Sequence, residues 1–548
     1  MPSLNLILAI VYYIIAAIVV VHVVMDNRQP AKTMAWALVI WFVPVVGIVL
    51  YLFFGVNTRK ERLINQRELD QLSKRSMLGF VEQQDLHLPE QHKPLIDLFI
   101  GESFSLPFKD SAVELMTDGY QFFPALLRDI AHARHHIHID MYIIEDDPLG
   151  RLVSDALIAK SRSGVEVRLI YDDVGCWSVK NRFFEHLREE GIEVSPFLPV
   201  RFPSFTSKVN YRNHRKLIVI DGSVGYIGGM NIAERYVKGV KGGKGVEGAV
   251  RKPWRDTMVR VCGMGVYSLQ RAFLIDWYFV DRSLVSGKNY YPAPSSRCGE
   301  SRGYEDCRWH GGTGVRGYED CSRYEVRGTR YEDSSEAELS GVQGNLALPY
   351  PRTPVPPTGS TPAPRKSLLQ TVTSSPVVPQ PEIMQGYVRI ILGAKQYVYI
   401  ETPYFLPTEP VFFALKTAAA SGVDVRLLVP IRNDSWFVEW AGRSYLREAQ
   451  QAGISVSLYT AGFLHSKLMV CDDSVCTCGS TNVDFRSFEN NFEANIFMYG
   501  EAVATRMKQI FIDDEASSVA LSSLSERIRP RFLVRLFESL IRMLSPLM

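Results

Sequence analysis

Asn213-His-Arg-Lys-Leu-Ile-Val-Ile-Asp221, followed after six intervening residues by Gly228-Gly-Met-Asn231, is spelled a second time as Leu464-His-Ser-Lys-Leu-Met-Val-Cys-Asp472 with Gly479-Ser-Thr-Asn482. Both copies read H-x-K-x4-D, six residues, then G-[GS]-x-N. From average residue usage, a lone H-x-K-x4-D arises by accident in only about a few per cent of chains this long, and a matched pair is far rarer. On a strand the period of two places His214 and Lys216 on one face, and His465 and Lys467 likewise. Leu217 to Ile220 and Leu468 to Cys471 are continuously apolar, the pattern of a strand buried on both faces. A lysine without a task is rarely tolerated in such a place. Brought together, the copies present two His, two Lys, Asn231 and Asn482 to one spot, a set suited to gripping, attacking and protonating a phosphodiester.

The chain has 548 residues and 46% hydrophobic content, enough for a membrane segment and two lobes of ordinary domain size. Its net charge of +2 argues against a dedicated nucleic-acid binder, whose affinity comes largely from excess Lys and Arg. Eight cysteines without dense framework spacing fit a reducing compartment. Cys476-Thr-Cys478 has the look of a metal or redox pair, but its alternation before Gly479 reads better as two thiols packed in a strand.

Leu6–Val24, apolar apart from His22, and Met34–Phe54, interrupted by Pro44 and Gly47, are each long enough to cross about 30 Å of hydrocarbon. With no basic leader and no cleavage site, residues 1–62 are expected to form a retained transmembrane hairpin in the cell membrane. Arg59, Lys60 and Arg62 outnumber Arg28 and Lys32 of the connection, which places the large domain in the cytoplasm by the positive-inside rule. Residues 63–109 then read as a linker.

Two homologous α/β lobes follow, at 110–285 and 365–520. Ser163-Gly-Val-Glu-Val-Arg-Leu169 returns as Ser421-Gly-Val-Asp-Val-Arg-Leu427, and His136 to Asp140 matches Tyr397 to Glu401. The tyrosines at the places of His136 and His138 favour aromatic-like packing over a metal site for that histidine cluster. Residues 286–364, with Arg302-Gly-Tyr-Glu-Asp-Cys307 repeated at Arg316–Cys321 and a Pro-rich run to Pro364, read as a disordered insert. Its Cys298, Cys307, Cys321 and His310 match no standard zinc spacing. Residues 521–548 carry five arginines from Arg527 to Arg542 among Phe532, Leu533, Leu536, Phe537, Leu540 and Leu544. That is a basic amphipathic helix, able to pack on the lobes or to lie in an anionic membrane surface.

The doubled motif resembles the phospholipase D superfamily, and its finer wording is similar to the bacterial cardiolipin synthases within it. Tyr211-Arg-Asn-His-Arg-Lys216, Gly225-Tyr-Ile-Gly-Gly-Met-Asn231, Pro253-Trp-Arg-Asp256, Ile400-Glu-Thr-Pro-Tyr-Phe405, Asp484-Phe-Arg-Ser-Phe488 and Asn491-Phe-Glu493 carry the likeness. The insert departs from the family pattern. The resemblance implies an α/β fold of two phospholipase D-like lobes, each an α/β/α sandwich, sharing one site. It further implies transfer of a phosphatidyl group from one phosphatidylglycerol to another, giving cardiolipin and glycerol, at the bilayer and without nucleic acid, cofactor or metal. His214 is expected as nucleophile and His465 as acid/base, with the reverse left open by the symmetry. Lys216, Lys467, Asn231, Ser480 and Asn482 are expected to hold the substrate. Asp256 and Glu493 would each fix an imidazole tautomer. Asp221 and Asp472 are grouped with the catalytic set, though their place at a strand end leaves open that they order the site. A membrane-bound hydrolase or phosphodiesterase using water or another alcohol is the competing reading.

Overall fold

The computed structural model describes residues 4–25, 30–43, 45–55, 88–200, 210–239, 252–292, 366–376, 381–525, 532–543 and 545. The first half supplies β1 (Phe108–Met116), β2 (His136–Met141), β3 (Glu166–Asp172), β4 (Glu193–Phe197), β5 (Lys216–Ile220), β6 (Val224–Gly228) and β7 (Met258–Cys262). From the second half come β8 (Lys366–Ser374), β9 (Tyr397–Glu401), β10 (Phe405–Leu406), β11 (Asp424–Pro430), β12 (Ser455–Tyr459), β13 (Leu468–Cys471), β14 (Val475–Gly479), β15 (Val483–Asp484), β16 (Glu493–Tyr499) and β17 (Ser518–Ala520). β1 and β8 lie antiparallel at the middle of one sheet. Outward from them the first half runs β7-β6-β5-β2-β3-β4 and the second β16-β14-β13-β9-β11-β12, with β17 added at the edge. The two orders are the same order. The repeat read from Ser163–Leu169 and Ser421–Leu427 is therefore a repeat of whole lobes.

The motif strands sit in the interior of this sheet, which explains their unbroken apolar runs. Leu217 and Val219 of β5 face a core shared with Leu468 and Val470 of β13. Ile218 and Ile220 face the outer core of the first lobe, and Met469 and Cys471 that of the second. Helices Gly119–Ala131, Pro148–Arg162 and Asn181–Glu189 cover the outer face of the first lobe, while Glu382–Gly393, Glu409–Ala420 and Trp436–Gln451 cover that of the second. Helices Val266–Asp281 and Glu501–Glu515, which follow the matching strands β7 and β16, fill the shared inner layer. Each lobe is a helix–sheet–helix sandwich. Cys476 and Cys478 are buried in that inner core, as packing thiols would be.

His136 and His138 are fully buried, with the His138 ring stacked 4.3 Å from Phe273 and both imidazoles hydrogen-bonded to Gln270. Burial pushes His136 down to about 4, so its ring is neutral and packs as an aromatic.

Three boundaries differ from the sequence reading. Within the expected linker 63–109, helix Lys93–Ser103 packs Leu95, Ile96 and Phe99 into the second lobe, Phe99 lying 4.5 Å from Phe497. Apolar residues at i, i+1 and i+4 made this a lobe helix rather than a tether. Tyr290, placed in the expected insert 286–364, stacks on His138, and its hydroxyl donates to Glu166 at 2.8 Å. The first lobe accordingly extends to Pro292; residues 293–365 lie outside the described residues, as do the repeated Arg-Gly-Tyr-Glu-Asp-Cys segments and the zinc candidates. At the N-terminus Leu4–Met25 is one helix long and apolar enough to cross a membrane. The second apolar stretch is not one span: helix Pro30–Phe42 ends, Val45 takes φ 64°, and helix resumes at Val46–Leu50. Proline in the sequence at position 44 donates no hydrogen bond and disfavours helix for its predecessor.

Candidate active site

Each motif histidine is held by the opposite lobe. The backbone N–H of His214 donates to the carbonyl of Phe492 at 2.9 Å, and Phe492 N–H donates back to Arg212 at 2.8 Å. By the same pattern, His465 N–H donates to Arg255 at 2.7 Å and Arg255 N–H to Phe463 at 2.9 Å. These two short bridges, Asn213 with Phe492 and Leu464 with Arg255, stitch each motif to the residue just before the other lobe's carboxylate. The consequence is a crossed pairing. Nδ1 of His214 lies 3.0 and 3.1 Å from the two oxygens of Glu493, and Nδ1 of His465 lies 2.6 Å from Asp256. In both rings that leaves Nε2 for chemistry, in the tautomer a nucleophile or a proton carrier needs.

The carboxylates are positioned in turn. Ser480 donates its hydroxyl to Glu493, and Asn491 Nδ2 donates to it at 3.1 Å. Asp256 accepts the Thr257 N–H at 2.7 Å. Burial alone would raise Glu493, but His214 and Lys216 hold its carboxyl below the usual range; Lys467 and His465 do the same for the buried Asp256. Burial pushes His214 down to about 4 and His465 down to about 3, helped by the lysines and opposed by the carboxylates. Each imidazole also feels the lysine of the other motif copy, so the two motifs meet at one site.

Both lysines are buried. Lys216 Nζ donates to the His214 carbonyl at 2.5 Å and lies 4.9 Å from the Tyr142 ring centroid; Lys467 donates to the His465 carbonyl and sits 3.8 Å from Asp256. Burial pushes Lys216 down to about 7 and Lys467 below its usual value. If the Lys216 ammonium is what balances phosphoryl charge, kcat/KM should fall as pH rises through about 7, where its proton is lost, and be level between about 5 and 6. A rate profile in mixed buffers checks this; Lys216→Met should be slow and show no such limb.

His214, His465, Asn231 and Asn482 line one cavity with Tyr142, Arg212, Arg235, Trp254 and Arg486. Asn231 accepts the Ile143 N–H at 3.1 Å and donates to Tyr236 at 3.1 Å, while Asn482 Oδ1 is buried without a partner among the described residues. Ser487 Oγ, Asn491 Oδ1 and Ser545 Oγ, also in the lining, are likewise buried without partners among the described residues. Buried polar atoms are nearly always paired, so this wall suits a polar ligand that would satisfy them. Ser480, expected on substrate, serves Glu493 instead and is absent from the lining. Sequence reasoning missed Tyr142, Trp254 and Asn491; the Tyr142 ring lies 4.7 Å from His214 and Trp254 5.2 Å from His465. Trp254 and Asn491 stand in Pro253-Trp-Arg-Asp256 and Asn491-Phe-Glu493, each within two residues of a carboxylate that holds an imidazole, the signal by which they could have been found.

Asp221 and Asp472 need correction as catalytic residues. Each stands at the far end of its motif strand, about 16 Å of extended chain beyond the lysine. Asp221 accepts the N–H groups of Arg134, His135 and His136 at 2.8, 2.8 and 3.0 Å, tying the start of β2 to the end of β5. Asp472 does the same for Lys395, Gln396 and Tyr397 at 2.7, 2.9 and 2.8 Å. Both take positive φ, 53° and 50°, which Asp tolerates better than most residues. Asp221→Ala is expected to cost about 2–4 kcal/mol by orphaning these donors, while leaving kcat of the folded enzyme within about 3-fold. Denaturant melts with parallel turnover measurements check it.

A family model described as the PLD-like domain of cardiolipin synthase matches residues 126–241 and 387–514, one match per lobe. A second, described as the phospholipase D-nuclease N-terminal region, matches residues 13–55. The major cardiolipin synthase ClsA of Bacillus subtilis (strain 168) is 31% identical over 100% of this chain and 100% of its own length. The chain belongs to the cardiolipin synthase family. Other family members include the cardiolipin synthase of Oceanobacillus iheyensis, 32% identical over 99% of both chains. Among solved structures, phosphatidylserine synthase of Haemophilus influenzae Rd KW20 superposes with a TM-score of 0.53, covering 80% of this chain and 95% of that one at 15% identity. That likeness shows the two-lobed phospholipase D-like fold for this cardiolipin synthase family member.

Proposed function

We propose that the chain transfers a phosphatidyl group from one phosphatidylglycerol to a second through a phosphohistidine. The crossed His–carboxylate units carry the reading: two neutral imidazoles, each oriented from the opposite lobe, converge on one cavity that holds Asn and Arg side chains. Nε2 of His214 attacks phosphorus; the P–N bond forms, the bond to the leaving glycerol oxygen breaks, and His465 Nε2 supplies that oxygen's proton. His465 then takes the proton from the glycerol hydroxyl of a second phosphatidylglycerol as its oxygen displaces His214. Supporting His214 as nucleophile, its side chain is the more open of the two, 11% exposed against 7%, and Glu493 grips it with both oxygens. His465 is neutral in the free site, but an anionic phosphodiester favours the imidazolium it needs as an acid. Lys216, Lys467, Asn231 and Asn482 stabilise the phosphoryl oxygens, the lysines as nearby charge.

The apolar N-terminal region and the lipid substrate support a reaction at the cell membrane, with Leu4–Met25 as one span, the interrupted second apolar stretch as the returning arm of a hairpin, and the lobes on the cytoplasmic side. Purified protein in vesicles of phosphatidylglycerol, with chelator and no nucleotide, should release glycerol and form cardiolipin, and excess glycerol should drive the reaction backward. Phosphatidic acid as the main product would assign a hydrolase instead. No reaction until a cytidine-activated lipid is added would show that the donor is wrong.

A further inference from the structure

Helix Phe532–Met543 docks on helix Trp436–Gln451 by one narrow side. Glu538 and Ile541 are buried there, Arg447 pairs with Glu538, and Arg542 pairs with Glu448 at 2.6 Å. Its opposite side is apolar and faces outward. Phe532 is 77% exposed and Leu533 73%, with Leu536, Phe537, Leu540 and Met543 also exposed. At 100° per residue these six fall within an arc of about 140°, too wide and too apolar for an ordinary solvent face. Trp436, 64% exposed on the partner helix, lies among the same two helices, and the Trp440 ring packs edge-on at 5.2 Å from Phe537.

Two observations say what covers this face. The helix pair is also a wall of the active-site cavity: Val438 from one and Ser545, two residues past the end of the other, both line it beside Asp434. Arg535 is exposed on the docked helix, Arg443 on the other, where it pairs with Glu439, and Arg432 just before that helix begins, giving the apolar patch a cationic rim. An apolar strip flanked by arginines at the cavity wall fits an anionic phospholipid surface, the aromatics and leucines entering the acyl boundary and the cations meeting phosphates.

We propose that helix Phe532–Met543 is a bilayer-docking helix that seats the cavity against an anionic lipid surface, so that substrate enters from the membrane plane. The proposal rests on the phosphatidyltransferase reading for its substrate, and the test separates the two. The full chain is reconstituted in phosphatidylglycerol vesicles with the photoreactive residue p-benzoylphenylalanine placed at position 536 or, as a control, at position 120, where Tyr120 is exposed on the first lobe. Irradiation should give a phospholipid adduct at 536 and none at 120; an adduct to protein, to a second copy of the chain, or none at all at 536 overturns the proposal. Independently, Leu533→Asp/Leu536→Asp/Leu540→Asp should lower the rate on long-chain phosphatidylglycerol in vesicles about 10-fold or more, while the rate on monomeric short-chain phosphatidylglycerol stays within about 2-fold. Equal rates on both substrates, or equal losses on both, count against docking. A parent chain that forms the adduct yet makes no cardiolipin from either lipid defeats the transferase reading and leaves the docking helix standing.

Discussion

Replacing His214 or His465 by Ala is expected to lower turnover on phosphatidylglycerol by about 10³-fold or more, with the double variant hardly slower than either single one. The two rings act in sequence on one phosphorus, so losing the nucleophile removes the first bond-making step, and losing the acid strands the leaving glycerol as a poor alkoxide. Their removal leaves no substitute: the remaining cavity-lining histidine would have to do both tasks from one side. Folding should survive, since each ring faces the cavity and its backbone bridge to the opposite lobe does not use the side chain. Glycerol release and cardiolipin formation by reconstituted variants, with melting temperatures in parallel, check the result. Near-normal turnover of either single variant would exclude the two-histidine scheme.

The crossed carboxylates should matter almost as much. Glu493→Gln keeps the shape of the side chain but offers an amide that can donate to Nδ1 of His214, moving the ring proton to Nε2 and occupying the lone pair that attacks phosphorus. Asp256→Asn does the same to His465. A loss on the order of 10²–10⁴ in kcat is expected for each, with KM changed far less, because the ground-state contacts of Asn231, Asn482 and the arginines remain. Since Glu493 serves the first-motif histidine and Asp256 the second, Glu493→Gln should suppress formation of any histidine adduct, whereas Asp256→Asn should let an adduct form and slow its resolution. Rapid-quench measurements of the first turnover distinguish the two. Equal behaviour of both variants would undo the assignment of roles.

The lobes were legible because the chain states them twice. A period-two His and Lys followed by four apolar residues admits little but an interior strand, and Ser421–Leu427 copying Ser163–Leu169 gives the second lobe its register. What could not be read was which carboxylate meets which imidazole. Asp256 and Glu493 each follow their own motif along the chain, and only the backbone bridges Asn213–Phe492 and Leu464–Arg255 cross them over. Asp221 misled for a related reason: a carboxylate recurring at a fixed distance from His and Lys looks chemical, yet its invariant task within this chain is to cap three backbone N–H groups in both lobes. Helix Lys93–Ser103 was hidden because it precedes the first strand it could be measured against, and it packs on the second lobe, far along the chain. Tyr290 was missed because its partners, Glu166 and His138, lie more than a hundred residues earlier.

The central claim is a phosphatidyl group carried on one particular ring. Reconstituted enzyme mixed with phosphatidylglycerol labelled in its phosphate, then quenched with base and digested, should yield an acid-labile, base-stable phosphoryl adduct on the peptide that contains His214. The adduct should accumulate in Asp256→Asn, form only slowly in His465→Ala, and be absent from His214→Ala. An adduct confined to the peptide of His465 would reverse the roles, and the absence of any histidine adduct while cardiolipin is being made would contradict the account.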